Sequence, residues 1–318
     1  MIALLLALSM KAHATTMLIV TDQPKAAKAQ EVASLFRTTE PYSLMKDLKL
    51  KVIQTSAKKL GCKASPFSEE DLVATSDSDQ ENLLARSEWR ERAMNFNAAL
   101  PPSCSNKENP ISRLISCDTP RANAYLSALQ KTEKAQHVIV VKTDPRYGGS
   151  GGERPVITTS SPASMAIHEL MHQLGFADEY SYISACEADI YCSSTADDYK
   201  SPSGYGFLPG TSFNVAAFNA RTNYSSNADV RKVHGSQIPW ISFIDKSTDL
   251  TLNGKLGSAP KPDQVGLYRA VVCDLATDRH ETWQSTSEPT IMKTLATTKI
   301  PKDYWATIAK SLGTHITP

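Results

Sequence analysis

The segment 168–180 reads HELMHQLGFADEY, and its first five residues place two histidines four positions apart, with a glutamate directly after the first. On a helix, residues i and i+4 lie about 40° apart around the axis, so both imidazoles face the same side. Two neutral histidine nitrogens placed in this way can bind one Zn²⁺ at about 2.0–2.1 Å. The spacing therefore predicts His168 and His172 as ligands of one metal ion.

Glu169 lies beside these histidines and has a different predicted role. Zinc lowers the pKa of a bound water toward neutrality, and a neighbouring carboxylate can take the proton of that water as it attacks a carbonyl. The carboxylate can later pass the proton to the leaving amine. The sequence thus predicts Glu169 as the general base of a hydrolysis. The alternative is an amphipathic helix whose histidines are hydrogen-bonded core groups.

The residues after His172 make the pattern more specific. Gly175 is free to adopt positive φ, which can end the helix and turn the chain sharply. Asp178 follows three positions later and would return to the metal as an oxygen ligand, giving the open site of a catalytic zinc. Glu179 could orient a ligand histidine or bind a structural cation, and Tyr180 could polarise a substrate carbonyl or belong to the core.

HExxHxxGxxD is the pattern of the metzincin zinc peptidases, with aspartate in place of the more frequent third histidine. The longer string HELMHQLGFADEY, preceded by YGGSGG, resembles the bacterial IgA-peptidase family of metallopeptidases. Further short blocks match in the same order, so the resemblance covers most of the chain after residue 14. These blocks are LIVTD (18–22), HVIVV (137–141), PWISFI (239–244) and GLYR (266–269).

This resemblance implies a zinc endopeptidase that binds its substrate along an upper edge strand. In this chain that strand would be PVITTS (155–160), whose backbone could pair with an extended peptide. Metzincins also have a methionine turn beneath the metal, and SEPTIMK (287–293) offers Met292 for it, although a plain core methionine is the alternative. His280 could be an alternative ligand, a substrate contact or a surface histidine.

Alternating strands and helices up to residue 175 predict the frame of this site. Strands are expected at 17–21, 48–55, 137–141 and 155–160, and helices at 25–37, 81–100, 121–132 and from Pro162 onward. Beyond residue 181 regular elements are short, and the clearest are 215–220, 238–244 and a closing helix near 302–312. We predict a metzincin-like α/β (α+β) fold with a twisted mixed sheet. It forms one catalytic domain over 15–318, with subdomains 15–175 and 176–318.

Charge and composition exclude some partners. The net charge is +1, from 34 basic and 33 acidic side chains, so nothing favours nucleic acid or a membrane surface as a partner. The acidic positions Glu187, Asp189, Asp197 and Asp198 could bind Ca²⁺, but they lack the spacing of a regular calcium loop. A solvated loop is the favoured interpretation.

The N-terminus predicts export. Residues 2–10 read IALLLALSM and precede Ala12-His13-Ala14, as in a signal peptide cut after Ala14; a buried first strand or helix is the alternative. The run is too short to span a bilayer, which needs roughly 20 residues. We expect a secreted or periplasmic protein without an N-terminal inhibitory segment, because no PRCG-type cysteine switch precedes the site.

The six cysteines fit an exported protein with disulfides, and the alternative is six free thiols. They are Cys62, Cys104, Cys117, Cys186, Cys192 and Cys273. Cys104/Cys117 and Cys186/Cys192 are close enough in sequence to close small loops, which would leave Cys62/Cys273 as a long-range tie. The sequence alone does not choose among the pairings.

The leading prediction is a secreted zinc-dependent endopeptidase with one catalytic Zn²⁺ and an extended protein or peptide substrate. One alternative is a non-catalytic binding protein on a zinc scaffold, against which an intact Glu169 argues. Another is a peptidoglycan-directed zinc amidase or peptidase, which uses the same chemistry. We expect no nucleic-acid partner and no stable membrane insertion, and the sequence leaves the oligomeric state open.

Overall fold

The computed structural model describes residues 14–64, 115–117, 119–145, 147–151, 154–182, 185–192, 212–276 and 281–316. Most of the predicted signal peptide, the predicted helix over 81–100, Asp197, Asp198 and His280 lie outside the described residues.

Strands and helices alternate through the first half of the chain and become short in the second. The strands are β1 (Thr15–Thr21), β2 (Leu48–Gln54), β3 (Lys63–Ala64), β4 (Ile115–Ser116), β5 (His137–Lys142), β6 (Gly149–Ser150), β7 (Val156–Thr158), β8 (Val215–Ala217), β9 (Thr251–Leu252), β10 (Lys255–Leu256), β11 (Tyr268–Ala270) and β12 (Thr282–Gln284). The α-helices are α1 (Ala27–Thr38), α2 (Ala57–Leu60), α3 (Pro120–Glu133), α4 (Ser164–Gln173), α5 (Ala185–Cys192), α6 (Asn227–His234) and α7 (Lys302–Leu312).

A five-stranded sheet forms the centre of the N-terminal half, in the order β2-β1-β5-β7-β6. The first four strands are parallel, and β6 pairs antiparallel with β7. The central strands bury both faces, because alternate side chains enter different cores. In β1, for example, Ile19 belongs to one core and Val20 to the other. The predicted mixed α/β class is therefore confirmed.

The core on one face of the sheet contains the side chains that hold α4 in place. Ile167, Leu170 and Met171 of α4 pack there together with Phe36 of α1. The C-terminal helix α7 joins the same core, and the Thr15 hydroxyl donates to the carbonyl of Leu312 at 2.8 Å. The last helix of the chain is thus tied to its first strand, on the same side of the sheet as α4.

The edge of the sheet differs from the prediction. PVITTS contributes β7, which lies inside the sheet between β5 and β6, so its expected role as the edge strand is wrong. Among the described strands the edge is β6, which lies within the glycine-rich segment YGGSGG. Gly149 pairs with Ile157, and Ser150 pairs with Val156. Glycine is a poor strand former in general, and a glycine in a strand often marks the close approach of another group.

A second, three-stranded sheet in the C-terminal half has the order β11-β12-β8. It packs on a separate core that includes Phe218, Trp240 and Trp283. The segment 238–244 forms a 3₁₀ helix at Ile241–Phe243, and the Trp240 indole donates to the carbonyl of Gly266 at 2.8 Å.

Within the described residues, no helix combines the length and apolar character needed to cross a membrane.

Among the described residues, two disulfides join Cys62 to Cys117 and Cys192 to Cys273. This pairing differs from the short loops that the sequence spacing suggests. The first bond follows from the strands, because β3 and β4 pair antiparallel directly beside the two cysteines. The second joins the end of α5 to the turn after β11. Disulfides of this kind are typical of proteins that fold in an oxidising compartment.

The pairing can be read directly from the protein. Digestion without reduction, followed by mass spectrometry, is expected to yield linked peptides for Cys62–Cys117 and Cys192–Cys273, with reduction separating both. Linkage of Cys117 to Cys104 would contradict the fold, since β3 and β4 would then lose the covalent bond beside them. Linkage of Cys192 to Cys186 would contradict it too, since α5 would lose its bond to the turn after β11.

Candidate metal centre

Helix α4 carries three of the predicted site residues. It begins at Ser164, two residues after the Pro162 expected to start it, and ends at Gln173. The buried stripe of Ile167, Leu170 and Met171 fixes the rotation of the helix. His168 and His172 consequently project from one face of the helix, as the i, i+4 spacing predicts.

The end of α4 has the hydrogen bonds of a Schellman motif. Gly175 has a φ of +92°, its N–H donates to the carbonyl of His172, and the N–H of Phe176 donates to the carbonyl of Met171. The predicted positive φ at Gly175 is confirmed. The chain reverses here and runs back toward the two histidines.

Residues 212–214 hold the reversed chain from the other side. The Asn214 amide makes two hydrogen bonds to one residue: it accepts from the N–H of Ala177 at 2.7 Å and donates to the carbonyl of Ala177 at 2.8 Å. The N–H of Phe213 donates to the carbonyl of Gly175 at 3.1 Å. This double attachment fixes the peptide that precedes Asp178.

The turn brings three acceptor atoms together. The Nε2 atoms of His168 and His172 are 3.1 Å apart, and Oδ1 of Asp178 lies 3.2 and 3.3 Å from them. Ligands at the zinc–nitrogen distance around a tetrahedral ion stand about 3.3 Å from one another. The triangle therefore has the size of one face of a tetrahedral coordination shell.

The Nδ1 atoms of both histidine rings make hydrogen bonds to backbone carbonyls. Nδ1 of His168 donates to the carbonyl of Ile291, and Nδ1 of His172 donates to the carbonyl of Phe176, each at 2.9 Å. In the neutral rings this leaves the Nε2 lone pairs facing the triangle, as metal ligation requires. Apart from the two imidazoles, no described group donates a hydrogen bond to the buried Oδ1 of Asp178.

The charged groups around the triangle favour a cation within it. Burial would lower the pKa of His172, but the negative charges of Asp178 and Glu169 outweigh burial and raise it to about 9. Burial would raise the pKa of Asp178, yet the two imidazoles hold it well below its usual range. A proton is thus retained among these acceptors, and a metal cation can take its place. These residues fit a metal ion.

The Glu169 carboxylate lies on the same side, where it and the two imidazoles offer ligand atoms within 4.8 Å of one another. Glu169 and Asp178 are therefore both candidate third ligands. Asp178 fits better, because its Oδ1 lies within 3.3 Å of both ring nitrogens. Glu169 remains beside the triangle.

The edge strand passes directly over Glu169 and His172. A Cβ atom added to Gly149 would lie 2.9 Å from Oε1 of Glu169, and one added to Gly151 would lie 2.7 Å from Cβ of His172. Both distances are shorter than carbon and oxygen atoms tolerate without a shift. Gly149 and Gly151 therefore let the backbone approach the site closely.

The turn around Met292 also contacts the site. Met292 is fully buried in the core that holds Leu170 and Met171, and its carbonyl accepts from the N–H of Glu179 at 2.9 Å. The preceding carbonyl, of Ile291, orients His168. The turn around Met292 thus contacts Glu179 and the predicted ligand His168 through its backbone.

The Nδ1 atoms of both histidines bond to backbone carbonyls, and the hydrogen bonds of Glu179 go to other residues. Its fully buried carboxylate accepts hydrogen bonds from the Asn214 amide, the Thr290 hydroxyl and the Tyr304 hydroxyl. Burial raises the pKa of Glu179, and the three donors act in the opposite direction. Hydrogen-bond donors therefore surround this carboxylate. Tyr180 stacks on His168, with ring centroids 6.3 Å apart and an angle of 21° between the rings.

Several residues of the site carry no sequence signal. Asn214, Thr290 and Tyr304 lie 35, 111 and 125 positions from Glu179, so no local spacing reveals them.

The proposed calcium positions stay a prediction: Asp189 is buried on α5, and the structure does not describe the others' side chains.

A scan against protein-family models and a search of curated proteins both find no match for this chain. The function proposed below therefore rests on the sequence and on the geometry of the site.

Replacing Glu179 by glutamine is expected to destabilise the fold. An amide nitrogen would face one of the three donors and leave it unsatisfied in the core, at a cost of about 2 kcal/mol. Urea denaturation of Glu179→Gln measures the loss. Glu31→Gln is the matched control, since the Glu31 side chain is 55% exposed and pairs with Lys28 on the surface. Equal stability of the two variants would contradict the role given to Glu179.

Proposed function

We propose that this chain is a zinc-dependent endopeptidase of the metzincin type. The observation that carries the proposal is the triangle formed by Nε2 of His168, Nε2 of His172 and Oδ1 of Asp178, with edges of 3.1 to 3.3 Å. Three protein ligands with one open position are characteristic of catalytic rather than structural zinc. Export of the protein is part of the proposal, and the two disulfides support it.

His168, His172 and Asp178 would hold the ion. When bound, Zn²⁺ supplies Lewis acidity that activates a water and polarises the substrate carbonyl. The carbonyls of Ile291 and Phe176 keep both rings in the tautomer that presents Nε2. The Schellman turn and Asn214 would keep Asp178 in reach of the ion.

Glu169 moves the proton. Its carboxylate accepts a proton from the attacking water and returns it to the amide nitrogen as the carbon–nitrogen bond breaks. The water contributes its hydroxyl to the new carboxylate and its proton to the new amine. The site suits this step because Glu169 is only 8% exposed and stands next to the ligands on α4.

The substrate would bind along β6. This strand ends the described sheet, so an extended peptide could add to it through backbone hydrogen bonds. Gly149 and Gly151 bring that backbone against Glu169 and His172, which would place a paired peptide over the catalytic groups. The glycine-rich edge strand thus takes the role that the sequence assigned to PVITTS.

Substitution of Glu169 and of Asp178 separates catalysis from metal binding. Glu169→Gln is expected to keep one zinc per chain and to lose about 10²- to 10⁴-fold of the activity on casein, because only the base is removed. Asp178→Asn is expected to lose zinc affinity as well as activity. Metal content by mass spectrometry and casein hydrolysis, with and without 1,10-phenanthroline, measure both effects.

Glu31→Gln again serves as the control and should match the wild type. Wild-type cleavage of casein by Glu169→Gln would overturn the mechanism. Absence of zinc binding by the wild-type protein would overturn the proposed function. Hydrolysis of purified cell wall without hydrolysis of casein would favour a peptidoglycan-directed enzyme.

A further inference from the structure

The two oxygens of the Asp178 carboxylate have different surroundings. Oδ1 faces Nε2 of both histidines, whereas Oδ2 accepts a hydrogen bond from the Tyr182 hydroxyl at 3.2 Å. A carboxylate can bind a metal through one oxygen or through both. The hydroxyl of Tyr182 therefore bears directly on how Asp178 can act as a ligand.

Tyr182 is firmly placed. Its side chain is 2% exposed and packs in a cluster with Ala177, Val215 and the disulfide between Cys192 and Cys273. Because Ala177 is held by Asn214, the cluster fixes Tyr182 relative to the chain on both sides of Asp178. The hydroxyl is thus a rigid donor rather than a surface group that happens to meet the carboxylate.

Ring contacts connect Tyr182 to the ligand histidines as well. Its ring meets that of Tyr180 edge to face, with centroids 5.6 Å apart and an angle of 79° between the rings. Tyr180 in turn stacks on His168. The two tyrosines form a wall along one side of the triangle, and Tyr182 is the member that donates to the aspartate.

We infer that Tyr182 is a positioning residue, which reserves Oδ2 of Asp178 for its own hydroxyl and presents Oδ1 alone to the metal. The inference rests on the proposed function. Residues that hold a ligand from outside the coordination shell commonly contribute 10- to 100-fold to metal affinity. Binding through both oxygens would make Oδ2 share its electron pairs between the metal and Tyr182 and so bind the metal more weakly, and the hydrogen bond therefore also favours the open, four-coordinate site.

The test compares zinc affinity of the full chain with and without the hydroxyl. Tyr182→Phe is expected to bind zinc about 10- to 100-fold more weakly than the wild type, measured by competition with a chromogenic chelator. Tyr224→Phe is the matched control: it removes another buried hydroxyl, one that bonds to His234 and to the N–H of Arg221 away from the triangle. The control should keep wild-type zinc affinity even if its stability falls.

Zinc X-ray absorption of the wild-type protein provides a readout that needs no variant to fold. The long zinc–carbon distance of a carboxylate bound through one oxygen is expected for Asp178, and the short distance of a two-oxygen carboxylate would overturn the inference. Equal zinc affinity of Tyr182→Phe and the wild type would overturn it too. A wild-type protein that binds no zinc would instead defeat the proposed function.

Discussion

The return of the chain after Gly175 is the constraint on which the site depends. Two imidazole nitrogens and a carboxylate oxygen stand within 3.3 Å of one another in a buried place, where acceptors without a cation or proton between them repel. A fixed backbone holds them at these distances. The Schellman turn provides the reversal, and the two hydrogen bonds of Asn214 to Ala177 prevent it from relaxing.

The C-terminal half holds this arrangement through Glu179. A buried carboxylate is costly unless donors surround it, and Glu179 receives them from Asn214, Thr290 and Tyr304. Those donors belong to the segment before β8, the methionine turn and α7. Three distant parts of the chain are thus fixed on the residue directly after Asp178. The irregular C-terminal half therefore helps to hold the candidate metal site in place.

Local patterns in the sequence predict much of this structure, and long-range contacts account for what they miss. Short apolar runs locate β1 and β5, alternation locates β2, and the i, i+4 histidines locate α4, because all of these signals lie within a few neighbouring residues. The edge strand is expected at PVITTS rather than at β6, because glycine is a poor strand former. The closeness of Gly149 to Glu169 is visible only in the folded chain. Tyr182 is only four residues from Asp178, yet its role depends on a core built from α5, β8 and the turn after β11.

Anomalous diffraction at the zinc absorption edge, from crystals of the protein prepared with zinc, tests the central claim most directly. We expect one anomalous peak about 2.0–2.2 Å from Nε2 of His168, Nε2 of His172 and an oxygen of Asp178. Glu169 should stand beside the ion without binding it. A peak elsewhere in the molecule, or a zinc ion bound by the histidines with Asp178 turned away, would contradict the account.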